Sequence, residues 1–132
     1  MKMKNFKFRA VLCSVVFYVF TIKSVLAFVP MSMLLEDTTL TEDDTAQNTF
    51  AASDVTLTIN GGVTVGTASG NSQIDTASTN SSIIISGDAL IRGAYNGIRA
   101  NNSTGLYIYN DGSISTSQTR AINLLGSTKC RK

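Results

Sequence analysis

The sequence lacks histidine and tryptophan and contains a single proline, and the first absence excludes whole classes of site. Without histidine, the chain can form no Ser-His-Asp or Cys-His nucleophile and no histidine-ligated metal site. Charged residues are also scarce, at 15% of the 132 residues, against about 25% in ordinary globular proteins. The length allows at most one ordinary domain.

The few charged residues are segregated along the chain. Residues 1–23 carry five basic and no acidic side chains, residues 36–54 carry six acidic and no basic ones, and residues 129–132 form a basic tail. Between them, residues 55–128 hold three charges of each sign. The net charge of +2 therefore hides a neutral centre and does not indicate nucleic-acid binding.

The N-terminal segment has the pattern of an export signal. A basic start precedes an apolar run over residues 10–22, which as a helix would span about 20 Å, short of the roughly 30 Å core of a bilayer. Val25 and Ala27 stand at the −3 and −1 positions of a cleavage site. We predict a signal peptide over residues 1–27 and membrane contact only during export; an uncleaved anchor, interrupted by a lysine and a proline, is the alternative. Cleavage leaves Cys130 as the only thiol, so no disulfide is expected within the chain.

The character of the chain changes at residue 54. Residues 28–53 are acidic and rich in threonine, without a helical or alternating apolar pattern, and they are predicted to be a flexible lead-in. Residues 54–128 are mostly small and polar, with apolar residues at alternate positions, as in Val55-Thr-Leu-Thr-Ile59. A period of two is that of a strand with one buried face.

The strand pattern repeats along the chain. Ile74, Ile98 and Ile122 follow one another at intervals of 24 residues, and glycine-containing turns separate the strands around them. Such a repeat, without helical periodicity, favours an all-β fold: a right-handed parallel β-helix (β-solenoid) with about three coils of 24 residues. A disordered Ser/Thr/Asn-rich linker is the alternative. The expected inward ladders are Ile59–Ile85–Ile108, Val63–Ala89–Gly112 or its neighbour Ile114, and Ile74–Ile98–Ile122.

The third unit carries the most specific motif. Residues 105–115 (GLYIYNDGSIS) are followed by residues 120–127 (RAINLLGS). This order of an alternating strand, an Asn-x-Gly turn, a Ser-x-Ile strand and Ala-Ile-x-Leu resembles the coil of bacterial autotransporter passenger domains. The matching residues are Asn110, Gly112, Ile114, Ala121, Ile122 and Leu124. The resemblance covers residues 54–127 and implies a passenger secreted through a C-terminal outer-membrane barrel, with a role in adhesion, aggregation or toxicity.

One departure from that family lies after the coils. Residues 129–132 are too few for a barrel, whose strands need about 9–11 residues each. We therefore hypothesise an N-terminal fragment of a longer passenger, shortened by a premature stop or a frameshift. Coils or a barrel encoded downstream of Lys132 would support this hypothesis, and their absence would contradict it. The product as it stands is expected in the periplasm or secreted, whereas full-length relatives reach the cell surface and outer membrane.

No catalytic, cofactor or metal site is predicted. The repeat region contains three carboxylates, Asp75, Asp88 and Asp111. Paired acids can divide the acid and base roles in polysaccharide cleavage, but an aspartate in a turn ordinarily bonds the backbone. We expect the protein not to be an enzyme; a remnant of a polysaccharide-active β-helix enzyme is the least favoured alternative.

Two tyrosines are the candidate binding residues. Tyr107 and Tyr109 alternate with apolar neighbours and are expected on the outer face, where they would stack on sugars, contact a protein partner, or pack over the adjacent coil. The leading interpretation is a passenger-type protein with the adhesin role of its relatives, and the alternative is a free-standing secreted module that binds a host surface protein or glycan. The open solenoid ends are expected to make the domain marginally stable or self-associating.

Overall fold

The computed structural model describes residues 31–68 and 72–128. Within these ranges the chain forms strands and no helix, and every pairing between the strands is parallel. The strands are β1 (Met31–Leu34), β2 (Thr38–Leu40), β3 (Gln47–Phe50), β4 (Thr56–Ile59), β5 (Thr64–Val65), β6 (Ile74–Thr76), β7 (Ser82–Ile85), β8 (Leu90–Gly93), β9 (Asn96–Asn101), β10 (Tyr107–Asn110), β11 (Ser113–Thr116) and β12 (Arg120–Leu125). The expected signal peptide and basic tail lie outside the described residues.

The strands stack into three parallel sheets. The five-stranded sheet has the order β1-β3-β6-β9-β12, the four-stranded sheet β2-β4-β7-β10 and the three-stranded sheet β5-β8-β11. Each of three successive coils contributes one strand to the four-stranded, the three-stranded and the five-stranded sheet in turn. The predicted all-β solenoid of about three coils is confirmed, with equivalent residues about 24 positions apart.

The 24-residue interval identifies one core ladder correctly. Ile74 pairs with Ile98 and Ile98 pairs with Ile122. Ile74 and Ile98 are fully buried, whereas Ile122 is half-buried. This ladder is thus a stack of identical side chains, and its last member, Ile122, has a neighbour on one side only among the described residues.

A second predicted ladder is wrong by two residues. Ile59 does pair with Ile85, but Ile85 lies opposite Asn110, and Ile108 pairs with Ile83. A shift of two residues leaves each side chain on the same face of its strand. Alternation of apolar and polar residues therefore could not distinguish the two registers.

The third predicted ladder, Val63–Ala89–Gly112, ends in a glycine. Val63 and Ala89 are buried, and each directly precedes its strand, β5 or β8. Gly112 precedes β11 in the same way, so the three residues occupy equivalent positions in successive coils. A Cβ on Gly112 would lie 2.5 Å from the carbonyl oxygen of Ala89, so a larger residue cannot enter this turn without displacing backbone. Ile114, the alternative for this position, stacks on Ile91 instead.

The acidic segment belongs to the solenoid. The expectation of a flexible lead-in over residues 28–53 is wrong for residues 31–50, which contain β1, β2 and β3. β2 pairs with β4 and β3 pairs with β6, so this segment forms a shorter partial coil ahead of the three others. Its apolar period was hidden because the buried positions of β3 hold Asn48 and Phe50, one of them polar.

Carboxylates of this partial coil bond to the coil that follows. The Thr56 N–H donates to Asp37 Oδ1 at 2.7 Å, and the Thr64 N–H donates to Asp43 Oδ1 at 2.7 Å. These two N–H groups belong to the first residues of β4 and β5. A longer preceding coil would offer them backbone carbonyl groups, and here carboxylate oxygens take that place. The acidic segment thus caps the first full coil of the solenoid. Its sequence contains no pattern that identifies it as a cap.

Two adjacent isoleucines of β7 test this assignment of faces. Ile83 is 0% exposed, and Ile84 is half-buried on the outer face. We expect Ile83→Ala to lower the free energy of unfolding by about 2–5 kcal/mol, because it removes apolar contacts and leaves a cavity. The matched control Ile84→Ala is expected to cost clearly less. Urea denaturation followed by circular dichroism measures both values, and equal losses would contradict the assigned faces.

Candidate functional site

The outer face of the four-stranded sheet carries no charged side chain on its described strands. Its outward side chains alternate with the buried residues of β4, β7 and β10 and continue onto β2. We name this surface the tyrosine face; it consists of Thr39, Thr56, Thr58, Ser82, Ile84, Tyr107 and Tyr109. Six of the seven carry a hydroxyl group, and the seventh is apolar.

The two tyrosines lie on β10, the last strand of this sheet within residues 31–68 and 72–128. Tyr107 is 43% exposed and Tyr109 is 48% exposed, whereas Ile108 between them is 1% exposed. Tyr107 is in register with Ser82 and Tyr109 with Ile84. Alternation thus predicted their orientation, and about half of the surface of each residue is covered by its surroundings. A role in binding stays a prediction.

The solenoid spaces these groups regularly. Outward residues of one strand repeat at about 6.6 Å, and neighbouring strands lie about 4.8 Å apart. Because β4, β7 and β10 pair in continuous register, hydroxyl-bearing and aromatic side chains form a grid rather than a scattered set. The grid presents two partly exposed tyrosine side chains beside rows of hydroxyl groups.

The turns that border the tyrosine face carry acidic residues. Asp54 precedes β4, Asp88 follows β7 and Asp111 follows β10, and all three are exposed. The three arginines of the described residues lie on the other two sheets. The electrostatic potential around the tyrosine face is therefore negative at its borders, which disfavours anionic ligands.

The three repeat-region aspartates lie at two separate places. Asp88 and Asp111 occupy the same turn in successive coils and line an open groove of about 370 Å³. Asp88 has a φ of 65°, a left-handed conformation that Asp tolerates in turns. Asp75 lies on the five-stranded sheet, so the structure assembles two of the three carboxylates. Among the described residues no group of three or more acidic or thiol side chains could hold a metal ion.

Asp75 forms an ion pair that sequence reasoning missed. Arg99 Nε donates to Asp75 Oδ1 at 3.2 Å and Arg99 Nη2 donates to Asp75 Oδ2, and the two side chains are 40% and 18% exposed. The side-chain hydrogen bond raises the pKa of Arg99, the attraction between the charges adds to it, and partial burial opposes it. Asp75 and Arg99 are 24 residues apart, so the interval that revealed the isoleucine ladder could also have revealed this pair.

A second groove, lined by Arg99, was not found from the sequence. It measures about 400 Å³, and its other lining residues include Gln47, Tyr95 and Asn96. Asn96 Nδ2 donates to Ser72 Oγ at 3.1 Å, which fixes part of the wall. Tyr95 is 47% exposed, close to the exposure of Tyr107 and Tyr109. It directly precedes β9 in the chain, away from the tyrosine face.

Comparison of the chain with protein-family models, with curated proteins and with solved structures finds no match. The resemblance to autotransporter passengers therefore rests on the sequence motif of the third unit. The described ranges contain no helix long and apolar enough to cross a membrane.

The ion pair gives a test of how much the five-stranded sheet depends on charge. We expect Asp75→Asn to lower the free energy of unfolding by less than about 1 kcal/mol, because a partly exposed pair gains little over its solvated ions. The matched control Asp111→Asn removes the same charge from an exposed turn and is expected to change stability less. Chemical denaturation at low and high salt measures both, and the difference should shrink at high salt. A loss that is equal for the two variants would show that the pair contributes nothing specific.

Proposed function

We propose that this protein is an exported, non-enzymatic β-solenoid that binds uncharged carbohydrate through the tyrosine face, an adhesin-type role. One observation carries the proposal. Tyr107 and Tyr109 are nearly half exposed side by side on a sheet face whose other residues are hydroxyl-bearing or apolar. Tyrosine is enriched at interfaces, and neighbouring exposed apolar groups mark interaction surfaces.

The chemistry of a sugar matches this surface. A pyranose ring has apolar C–H faces that pack on aromatic rings and hydroxyl edges that exchange hydrogen bonds. The tyrosine face supplies both complements, because its rings lie next to Ser82 and Ile84 on β7, and Thr56 and Thr58 follow on the next strand, β4. Tyrosine itself combines an apolar ring with a polar tip, which suits a partly wet interface.

The border charges select the class of carbohydrate. Asp54, Asp88 and Asp111 flank the tyrosine face, and no arginine or lysine of the described residues lies on it. A uronate or sulfated chain would approach against this field, whereas a neutral chain would not. We therefore expect neutral glycans to bind better than acidic ones.

The proposed place of action follows from the N-terminal pattern. The basic start and apolar run of residues 1–22 are those of an export signal. The passenger-type motif of the third unit implies relatives that act at the cell surface. The resemblance implies coils that stack in parallel, and this stacking is the architecture of the described chain.

The decisive experiment compares two sets of tyrosines. The exported chain is tested against a panel of neutral and acidic glycans, and the double variant Tyr107→Ala/Tyr109→Ala is expected to lose tenfold or more of its affinity. An aromatic pair contributes about 0.5–1.5 kcal/mol beyond its buried area, and we assign a similar value to each ring packed on a sugar; 1.4 kcal/mol corresponds to tenfold. The matched control Tyr95→Ala removes an equally exposed ring elsewhere and is expected to leave affinity unchanged.

Three outcomes would overturn the proposal. They are the absence of binding to any glycan, equal losses in the double variant and in Tyr95→Ala, and a preference for acidic glycans. Capture of a protein ligand by the tyrosine face, without glycan binding, would replace carbohydrate by a protein partner. Circular dichroism of each variant shows that a loss of binding is not a loss of fold.

A further inference from the structure

Two asparagine-glycine pairs occur in the chain, Asn60-Gly61 and Asn96-Gly97. An asparagine followed by glycine can convert itself to aspartate, because the glycine nitrogen, unhindered by a neighbouring Cβ, reaches the side-chain carbonyl carbon. The reaction needs an accessible asparagine, a free glycine N–H and a backbone that can bend. The two pairs have the same chemistry, so their surroundings in the fold decide which of them reacts.

Asn60-Gly61 lies in an exposed turn between β4 and β5. Asn60, Gly61 and Gly62 are all exposed. The Val63 N–H donates to the Asn60 carbonyl at 3.3 Å, and Gly62 has a φ of 81°, as in a tight turn with glycine at its third position. In the described part of the chain, neither the Asn60 side chain nor the Gly61 N–H has a hydrogen-bond partner. Neither reacting group is held in place, so the two are free to approach each other.

Asn96-Gly97 is held by the fold. Asn96 is 9% exposed, its Nδ2 donates to Ser72 Oγ at 3.1 Å, and its Oδ1 accepts from Thr119 Oγ1 at 3.3 Å. Gly97 is buried within β9, where a Cβ would lie 2.2 Å from Ile114 Cγ2. Because side chain and backbone are both fixed, an attack here requires the strand to leave its sheet.

We propose that Asn60 is a self-modification site, at which the folded chain slowly converts asparagine to aspartate and isoaspartate. The Gly61 nitrogen gives its proton to hydroxide and attacks the Cγ of Asn60. The new C–N bond closes a succinimide ring, while the bond from Cγ to the side-chain nitrogen breaks and that nitrogen takes a proton from water and leaves as ammonia. Water then opens the ring at either carbonyl, which gives aspartate or, where the chain continues through Cγ, isoaspartate.

The product adds a carboxylate beside the tyrosine face. The N–H groups of Asn60, Ser86 and Asp111 donate to carbonyl groups of the preceding coil at 3.1, 3.0 and 2.9 Å. These three residues therefore occupy equivalent positions, directly after β4, β7 and β10. Conversion of Asn60 gives the first full coil the charge that Asp111 gives the third, so the border of the tyrosine face becomes more acidic as the protein ages.

Peptide mapping of aged protein tests the site. The folded chain is incubated at mildly alkaline pH, and trypsin then separates the two pairs because Asn96 lies between Arg92 and Arg99. Mass spectrometry is expected to find the amide-to-acid mass gain at Asn60 at least about ten times faster than at Asn96, whose reaction waits for local opening. In urea, where the fold protects neither pair, the two rates are expected to be similar.

The variant Asn60→Gln is the matched control. It keeps an exposed amide but would have to close a larger ring, so the main acidic species that the wild-type chain accumulates on ion exchange should be absent. Gly61 is left unchanged, because a Cβ there would lie 2.4 Å from the carbonyl oxygen of Gly87 and would disturb the turn.

Three results would overturn the proposal. They are an unchanged Asn60, equal rates at Asn60 and Asn96 in the folded chain, and the same acidic species in Asn60→Gln. Glycan binding is measured on freshly prepared protein, so the modification and the proposed function fail separately.

Discussion

Parallel stacking in register is the constraint on which the rest of this structure depends. It places equivalent residues of successive coils about 4.8 Å apart, so each position must tolerate a near copy of itself as neighbour. Isoleucine satisfies this requirement in the ladder of Ile74, Ile98 and Ile122. A ladder of like charges would repel, and the charges that stack inside a sheet, Asp75 and Arg99, have opposite sign. Asp88 and Asp111 do neighbour each other with like charge, but they lie in an exposed turn, where solvent screens them. The scarcity of charge in the repeats follows from this geometry.

The same constraint makes the two ends of the solenoid different. Each coil satisfies the backbone of the next, so the first full coil needs partners that no complete coil supplies. Asp37 and Asp43 provide them by accepting from backbone N–H groups of β4 and β5. This gives two of the six acidic residues a structural role in a segment that otherwise resembles a linker. The last coil has no corresponding set of capping side chains among the described residues, and its apolar ladder ends are half-buried.

Sequence reasoning succeeded where a fixed interval and a period of two sufficed. The 24-residue interval gave the fold and the Ile74 ladder, and alternation gave the outward orientation of Tyr107 and Tyr109. It failed at Ile108, because a two-residue shift preserves both signals. It also failed at β2 and β3. β2 has three residues, too few to show alternation, and β3 has four, of which one buried residue is the polar Asn48. The ion pair of Asp75 with Arg99 follows the same interval, because the two residues are 24 positions apart.

Interstrand contacts in solution test the central claim most directly. In an isotope-labelled chain, nuclear Overhauser effects should connect the backbone of Ile98 with that of Ile74 and also with that of Ile122, residues 24 positions away in each direction. Hydrogen exchange should be slowest for the amides that join these strands. Backbone contacts confined to antiparallel neighbours within a coil, or none at all, would contradict the stacked solenoid.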